Sequence, residues 1–69
     1  MNWEIVEENW QDYAGNIKTR WNKLTEDHLA LIDGKRVKLA GKIQEAYGFT
    51  DNEVEQELKF FERTIDQIL

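Results

Sequence analysis

Two stretches of this 69-residue chain say nearly the same thing. Residues 13–21 read YAGNIKTRW and residues 39–47 read LAGKIQEAY. Ala14, Gly15, Ile17 and Trp21 recur as Ala40, Gly41, Ile43 and Tyr47, each 26 positions later. An internal repeat of this length implies two copies of one supersecondary unit. The residue spacing shows which unit. Trp10, Tyr13, Ala14, Ile17 and Trp21 fall at helical intervals, as do Leu39, Ala40, Ile43 and Tyr47. A third stripe, Val54, Leu58, Phe61, Ile65 and Ile68, predicts a long C-terminal helix. Leu29, Leu31 and Ile32 predict a short one. No proline interrupts the chain.

Helix ends are marked as well. Thr50 followed by Glu53 forms a capping box, with Phe49 and Val54 placed as a hydrophobic staple. Thr25 repeats the device with Leu24 and Leu29. His28 takes the Glu position, so that box reads as incomplete. Gly48 and Asn22 follow the two repeated helices where a left-handed residue ends a helix, and Gly34 is placed to close the short one. The expected fold is all-α: one domain over residues 1–69, a small four-helix bundle of two crossed hairpins. Hairpin one covers residues 9–33 and hairpin two residues 34–69. Residues 1–8 are read as a partly ordered N-terminal segment, with Trp3 as its anchor. Glycine inside a helix costs about 1 kcal/mol relative to alanine. Gly15 and Gly41 are therefore expected at a tight crossing of the repeated helices. A ligand contact at both glycines is the sharper alternative, and close packing is the more usual reason.

A domain this small retains only about 3–5 kcal/mol of net stability, and without cysteine no disulfide supports it. The same absence removes thiolate chemistry, there is no serine, and His28 stands alone. Carboxylates are numerous, but Glu26, Asp27, Asp51 and Glu53 lie in first turns, where the helix dipole favours them. No calcium loop, phosphate loop or dinucleotide fingerprint is present. The reading is a non-enzyme with no catalytic residue, cofactor or metal. An acidic N-terminus without a long apolar run argues against a signal peptide or membrane span. A cytoplasmic monomer is expected.

The net charge of −5 is unevenly placed. Residues 16–42 hold seven bases against three acids, and the remainder holds two bases against eleven. Within the basic stretch, the run from Leu31 through Gly34 to Ala40 is similar to a helix-hairpin-helix turn that lacks its second glycine. Gly34, Lys35, Arg36, Lys38 and Lys42 are thus candidate nucleic-acid contacts. The overall charge opposes a polyanion, so nucleic acid is the weaker reading and an unknown protein partner the stronger. Trp3 and Phe60 are aromatics off the main stripes that could serve a partner.

The motifs Gly15-Asn16-Ile17-Lys18, Asn22-Lys23-Leu24-Thr25-Glu26-Asp27, Asp33-Gly34-Lys35 and Gly41-Lys42-Ile43-Gln44-Glu45-Ala46-Tyr47-Gly48 stand in this order and spacing. With them the chain resembles the CsbD-like family of small bacterial stress-response proteins over residues 9–66. Asn16, Asn22 and Asp33 depart from that family's Lys, Gly and Glu. The resemblance implies a fold similar to sterile-alpha-motif domains and expression under general stress. It implies no catalytic residue and no defined molecular activity, so the expected role is that of a non-enzymatic module that either binds protein partners or protects by being abundant and soluble under stress.

Overall fold

The computed structural model describes residues 3–68, and among them the fold is all-helical. Five helices follow in order: α1 (Trp3–Glu8), α2 (Trp10–Arg20), α3 (Glu26–Ile32), α4 (Arg36–Tyr47) and α5 (Asp51–Ile68). Helix α4 lies between α3 and α5, and α1 lies against α2. Four of these match the expected helices. The first does not: residues 3–8 form a helix of their own, with Val6 fully buried. Among the described residues there are therefore five helices where four were expected.

One apolar cluster draws on every helix. Val6 comes from α1, Trp10 and Ile17 from α2, Leu29 and Ile32 from α3, Leu39 and Ile43 from α4, and Val54, Leu58, Phe61 and Ile65 from α5. Trp21 and Leu24, in the loop after α2, complete it. Most of these are residues that helical periodicity selects, but Leu31, expected in the stripe of the short helix, is 61% exposed and lies outside the core. Ile68 lies outside the residues whose side chains are described.

A buried indole must place its N–H on an acceptor, and here each tryptophan ties two elements together in doing so. Trp3 Nε1 donates to the Gly34 carbonyl at 2.7 Å, Trp10 Nε1 to the Leu29 carbonyl at 3.2 Å, and Trp21 Nε1 to Glu57 at 3.1 Å. Trp3 also sits 6.4 Å from the Phe61 ring, and Trp21 sits 5.3 Å from it. Trp3 is thus an anchor rather than a free aromatic.

The Thr50 capping box forms as expected. The Thr50 N–H donates to Glu53 at 2.9 Å, and the Glu53 N–H donates to Thr50 Oγ1 at 3.1 Å. Val54 is buried, and Phe49 packs on the core while stacking on Tyr47. The Thr25 box is also complete, against expectation. Nδ1 of His28 accepts the Thr25 N–H at 3.2 Å, and the His28 N–H donates to Thr25 Oγ1 at 3.1 Å. A histidine ring nitrogen does here what a Glu oxygen does elsewhere.

Two further expectations are corrected. Among the described residues only Asp33, Gly34 and Gly48 have positive φ, so Asn22 is not left-handed. The chain leaves α2 through a turn in which the Trp21 N–H reaches the Ile17 carbonyl and the Leu24 N–H the Trp21 carbonyl. Gly15 and Gly41 do not lie at a tight crossing. Apart from chain neighbours and the helix's own backbone, a Cβ built on either meets no atom within 4 Å. Gly15 lines an open groove between α2 and α3 beside Trp10, Ala14 and Ala30. Gly41 lines another beside Leu31.

Candidate functional site

The candidate turn begins where α3 stops. Asp33 adopts the left-handed conformation at φ 45° and its N–H caps the Leu29 carbonyl. Gly34 follows at φ 82°. Two consecutive positive-φ residues reverse the chain within a few bonds, and the Lys35 N–H returns to the Ile32 carbonyl at 2.9 Å. Glycine is required at the second position for two reasons. Left-handed backbone disfavours a Cβ. A Cβ here would also stand 2.9 Å from Glu7 Cα and 3.3 Å from the Glu7 carbonyl oxygen. Helix α1 rests directly on the turn, and Gly34 is buried beneath it.

Most of the basic residues around this turn are already bound to carboxylates. Lys35 Nζ is hydrogen-bonded and ion-paired with Glu7 of α1. That hydrogen bond, and then the charge of Glu7, hold the Lys35 ammonium above its ordinary range. Arg36 is shared between two acids of α5. Its Nε donates to Glu62 at 2.7 Å, while Nη1 and Nη2 donate to the two oxygens of Glu55 at 3.0 and 3.1 Å. A planar guanidinium suits this two-sided, forked arrangement. Hydrogen bonding to Glu55 raises the Arg36 value further above its ordinary range; partial burial opposes the shift and Glu62 adds to it. Reciprocally, hydrogen bonds from Arg36 hold the Glu55 carboxyl below the usual carboxylate value.

Lys42 makes a looser pair with Glu45 at 3.5 Å. Lys38 is exposed and has no ion pair or hydrogen bond among the described residues. It lies with Lys42 along a groove of about 310 Å³ on α4, floored by Gly41 and bordered by Leu31 and Glu45. The five candidates thus separate. Gly34, Lys35 and Arg36 are covered or neutralised, whereas Lys38 and Lys42 face an open groove. The sequence reading missed Glu7, Glu55 and Glu62. Glu55 and Glu62 stand seven residues apart and so share one face of α5, a spacing that could have flagged them as joint partners for one base. Glu7 offered no such signal, because its partner lies 28 residues away.

Among the described residues no group of three His, Cys, Asp or Glu side chains could hold a metal ion. No helix among them is long and apolar enough to cross a membrane.

The CsbD-like family model matches residues 4–56, from α1 into the second turn of α5. The chain belongs to the CsbD-like family. Among its relatives, the UPF0337 protein YjbJ of Escherichia coli K12 is 43% identical over 58 residues, 84% of each chain. A UPF0337 protein of Pectobacterium atrosepticum is 44% identical over 62 residues, 90% of each. One of Nitrosomonas europaea is 39% identical over 66 residues, 96% of this chain and 70% of that one. No solved structure matches significantly. The matched region of this CsbD-like chain includes the Gly34 turn, Glu7 and Glu55, and stops short of Glu62.

Proposed function

We propose that this CsbD-like protein is a non-enzymatic, cytoplasmic stress-response protein that works by associating with partner proteins. One contrast carries the reading. The bases nearest the turn are occupied by the molecule's own acids, while large apolar side chains stand in solvent: Val37 is 86% exposed, Leu31 61% and Phe60 54%. A surface so arranged offers apolar contact more readily than phosphate contact. Nucleic-acid binding at the turn would require Glu7 to release Lys35 and both Glu55 and Glu62 to release Arg36, against a net charge of −5.

The architectural reading belongs to the same proposal: residues 1–69 act as one folding unit whose related halves cross as hairpins of sterile-alpha-motif type. The repeat and the shared apolar cluster support it.

Affinity capture from stressed bacteria, with and without nuclease, tests the function. Partners that resist nuclease are expected. Recovery that depends on nucleic acid would overturn the reading. So would submicromolar DNA binding at physiological salt that Lys35→Glu/Arg36→Glu abolishes.

A further inference from the structure

Gly41 poses a problem that packing does not solve. It sits in the middle of α4 at negative φ, where alanine would favour the helix, and apart from its chain neighbours and its own helix backbone no atom stands within 4 Å of the missing Cβ. Neither strain nor internal crowding accounts for it. The space beside it is part of a groove between α3 and α4. Leu31 borders that groove from α3, and Lys38, Lys42 and Glu45 line it along α4. Val37 is one turn before Gly41 on the same helix and is the most exposed large apolar side chain among those described.

We infer that this groove receives an acidic amphipathic helix of a partner protein, with apolar side chains seated over Gly41 against Leu31 and Val37 and carboxylates meeting Lys38 and Lys42. The inference rests on the partner-binding reading above and names the surface and the partner's chemistry.

Each part of the occupant follows from the groove. Lys38 has no counter-charge among the described residues and Lys42 only a loose one, so the walls favour acid. A stripe from 37 to 45 rises about 12 Å, a little over two helical turns, which fits helix-in-groove recognition. The volume of about 310 Å³ is at the lower edge of ligand pockets and open to solvent, which suits presented side chains more than an enclosed small molecule. A flat anionic membrane gains nothing from a glycine floor. A nucleic-acid backbone gains nothing from exposed Leu31 and Val37.

The test titrates the ¹⁵N-labelled protein with a synthetic acidic amphipathic peptide of about 18 residues, long enough to hold a helix. Its lysine-substituted counterpart, duplex DNA and phosphatidylglycerol vesicles are run in parallel. Saturable amide shifts are expected at Leu31 and across residues 37–42 with the acidic peptide alone. Affinity should fall about tenfold or more in Lys38→Glu/Lys42→Glu. Gly41→Ala should raise the thermal midpoint by about 4–8 °C while weakening the peptide, because the added methyl fills the floor. Equal binding of both peptides, shifts elsewhere, tighter binding of DNA or vesicles, or self-association through this face would overturn the inference. Unchanged affinity in Gly41→Ala would do so too. A cellular partner still captured by Lys38→Glu/Lys42→Glu would remove the groove and leave the broader reading standing. If no nuclease-resistant partner exists, the broader reading fails whatever the peptide does.

Discussion

Replacing Gly34 with alanine should be among the most damaging single-methyl changes in this molecule, and the structure indicates by how much. The residue is at φ 82°, where an L side chain costs about 1–2 kcal/mol. The new Cβ would stand 2.9 Å from Glu7 Cα, 3.1 Å from Glu7 Cγ and 3.3 Å from the Glu7 carbonyl oxygen. Cγ can swing away, but the backbone atoms move only if α1 moves. Forced repacking of that kind costs about 1–3 kcal/mol. The total, about 2–5 kcal/mol, rivals the whole stability of a domain this small. Gly48 is the internal control: it is also left-handed, at φ 71°, but a Cβ there meets nothing within 4 Å. Gly48→Ala should therefore lose only the conformational part, about 1–2 kcal/mol. Urea unfolding followed by far-ultraviolet circular dichroism and tryptophan fluorescence measures both. Equal losses for the two variants would refute the close approach of α1 to the turn. A double-mutant cycle with Trp3→Phe adds a second reading. If Gly34→Ala has already lifted α1, removing the indole bond should cost nothing further.

Thr50→Ala should lose about 1 kcal/mol and Thr50→Asp almost nothing, since an Asp oxygen can accept the Glu53 N–H; chemical denaturation of both separates capping from methyl burial. His28→Glu should preserve or raise stability by supplying both an acceptor for the Thr25 N–H and a negative charge at the start of α3, whereas His28→Ala should lower the thermal midpoint. Arg36→Met should cost about 1–2 kcal/mol, more than an exposed pair and less than a fully buried one, because the fork is only partly solvated. The Glu55 value is depressed in the folded state. Its contribution is therefore complete above the unfolded carboxylate value, about 4.3, and is lost as pH falls through the lower folded value. Acid titration of stability should show this loss in the parent and a smaller one in Arg36→Met. Lys35 is raised, so its contribution holds below about 10.4 and disappears at higher pH, an alkaline arm that Lys35→Met should remove.

The helices that carry stripes were legible because periodicity is a local property. Val54, Leu58, Phe61 and Ile65 declare a buried face with no knowledge of what covers it, and all four are buried. Helix α1 was not legible, because six residues span less than two turns and its hold on the fold comes from Gly34 and Phe61, far along the chain. The glycines were misread for a related reason. A glycine in a helical pattern signals that a side chain is missing, but sequence does not distinguish space that is filled by a neighbour from space left open. Of the candidate site, the run of bases was plain to see. Its neutralisation was not, since Lys35 and Arg36 find their partners 28, 19 and 26 residues away. His28 reads as a gap in a cap because the pattern calls for Glu, although the physical demand is only for an acceptor three residues on.

Helices here meet mostly their neighbours along the chain: α1 packs on α2, α3 on α4, and α4 on α5. Few distant segments must find one another before the structure holds, and helical proteins of that kind fold in about microseconds to milliseconds. With no proline and no cysteine, the chain lacks both prolyl isomerisation and disulfide exchange as sources of slow phases. Synthesis of a replacement at about 5–20 residues per second would take about 3–14 s. A molecule unfolded by a transient shock should therefore be native again long before these 69 residues could be made anew. Its loss during stress would then come from proteolysis or aggregation of the open chain, not from slow return to the fold.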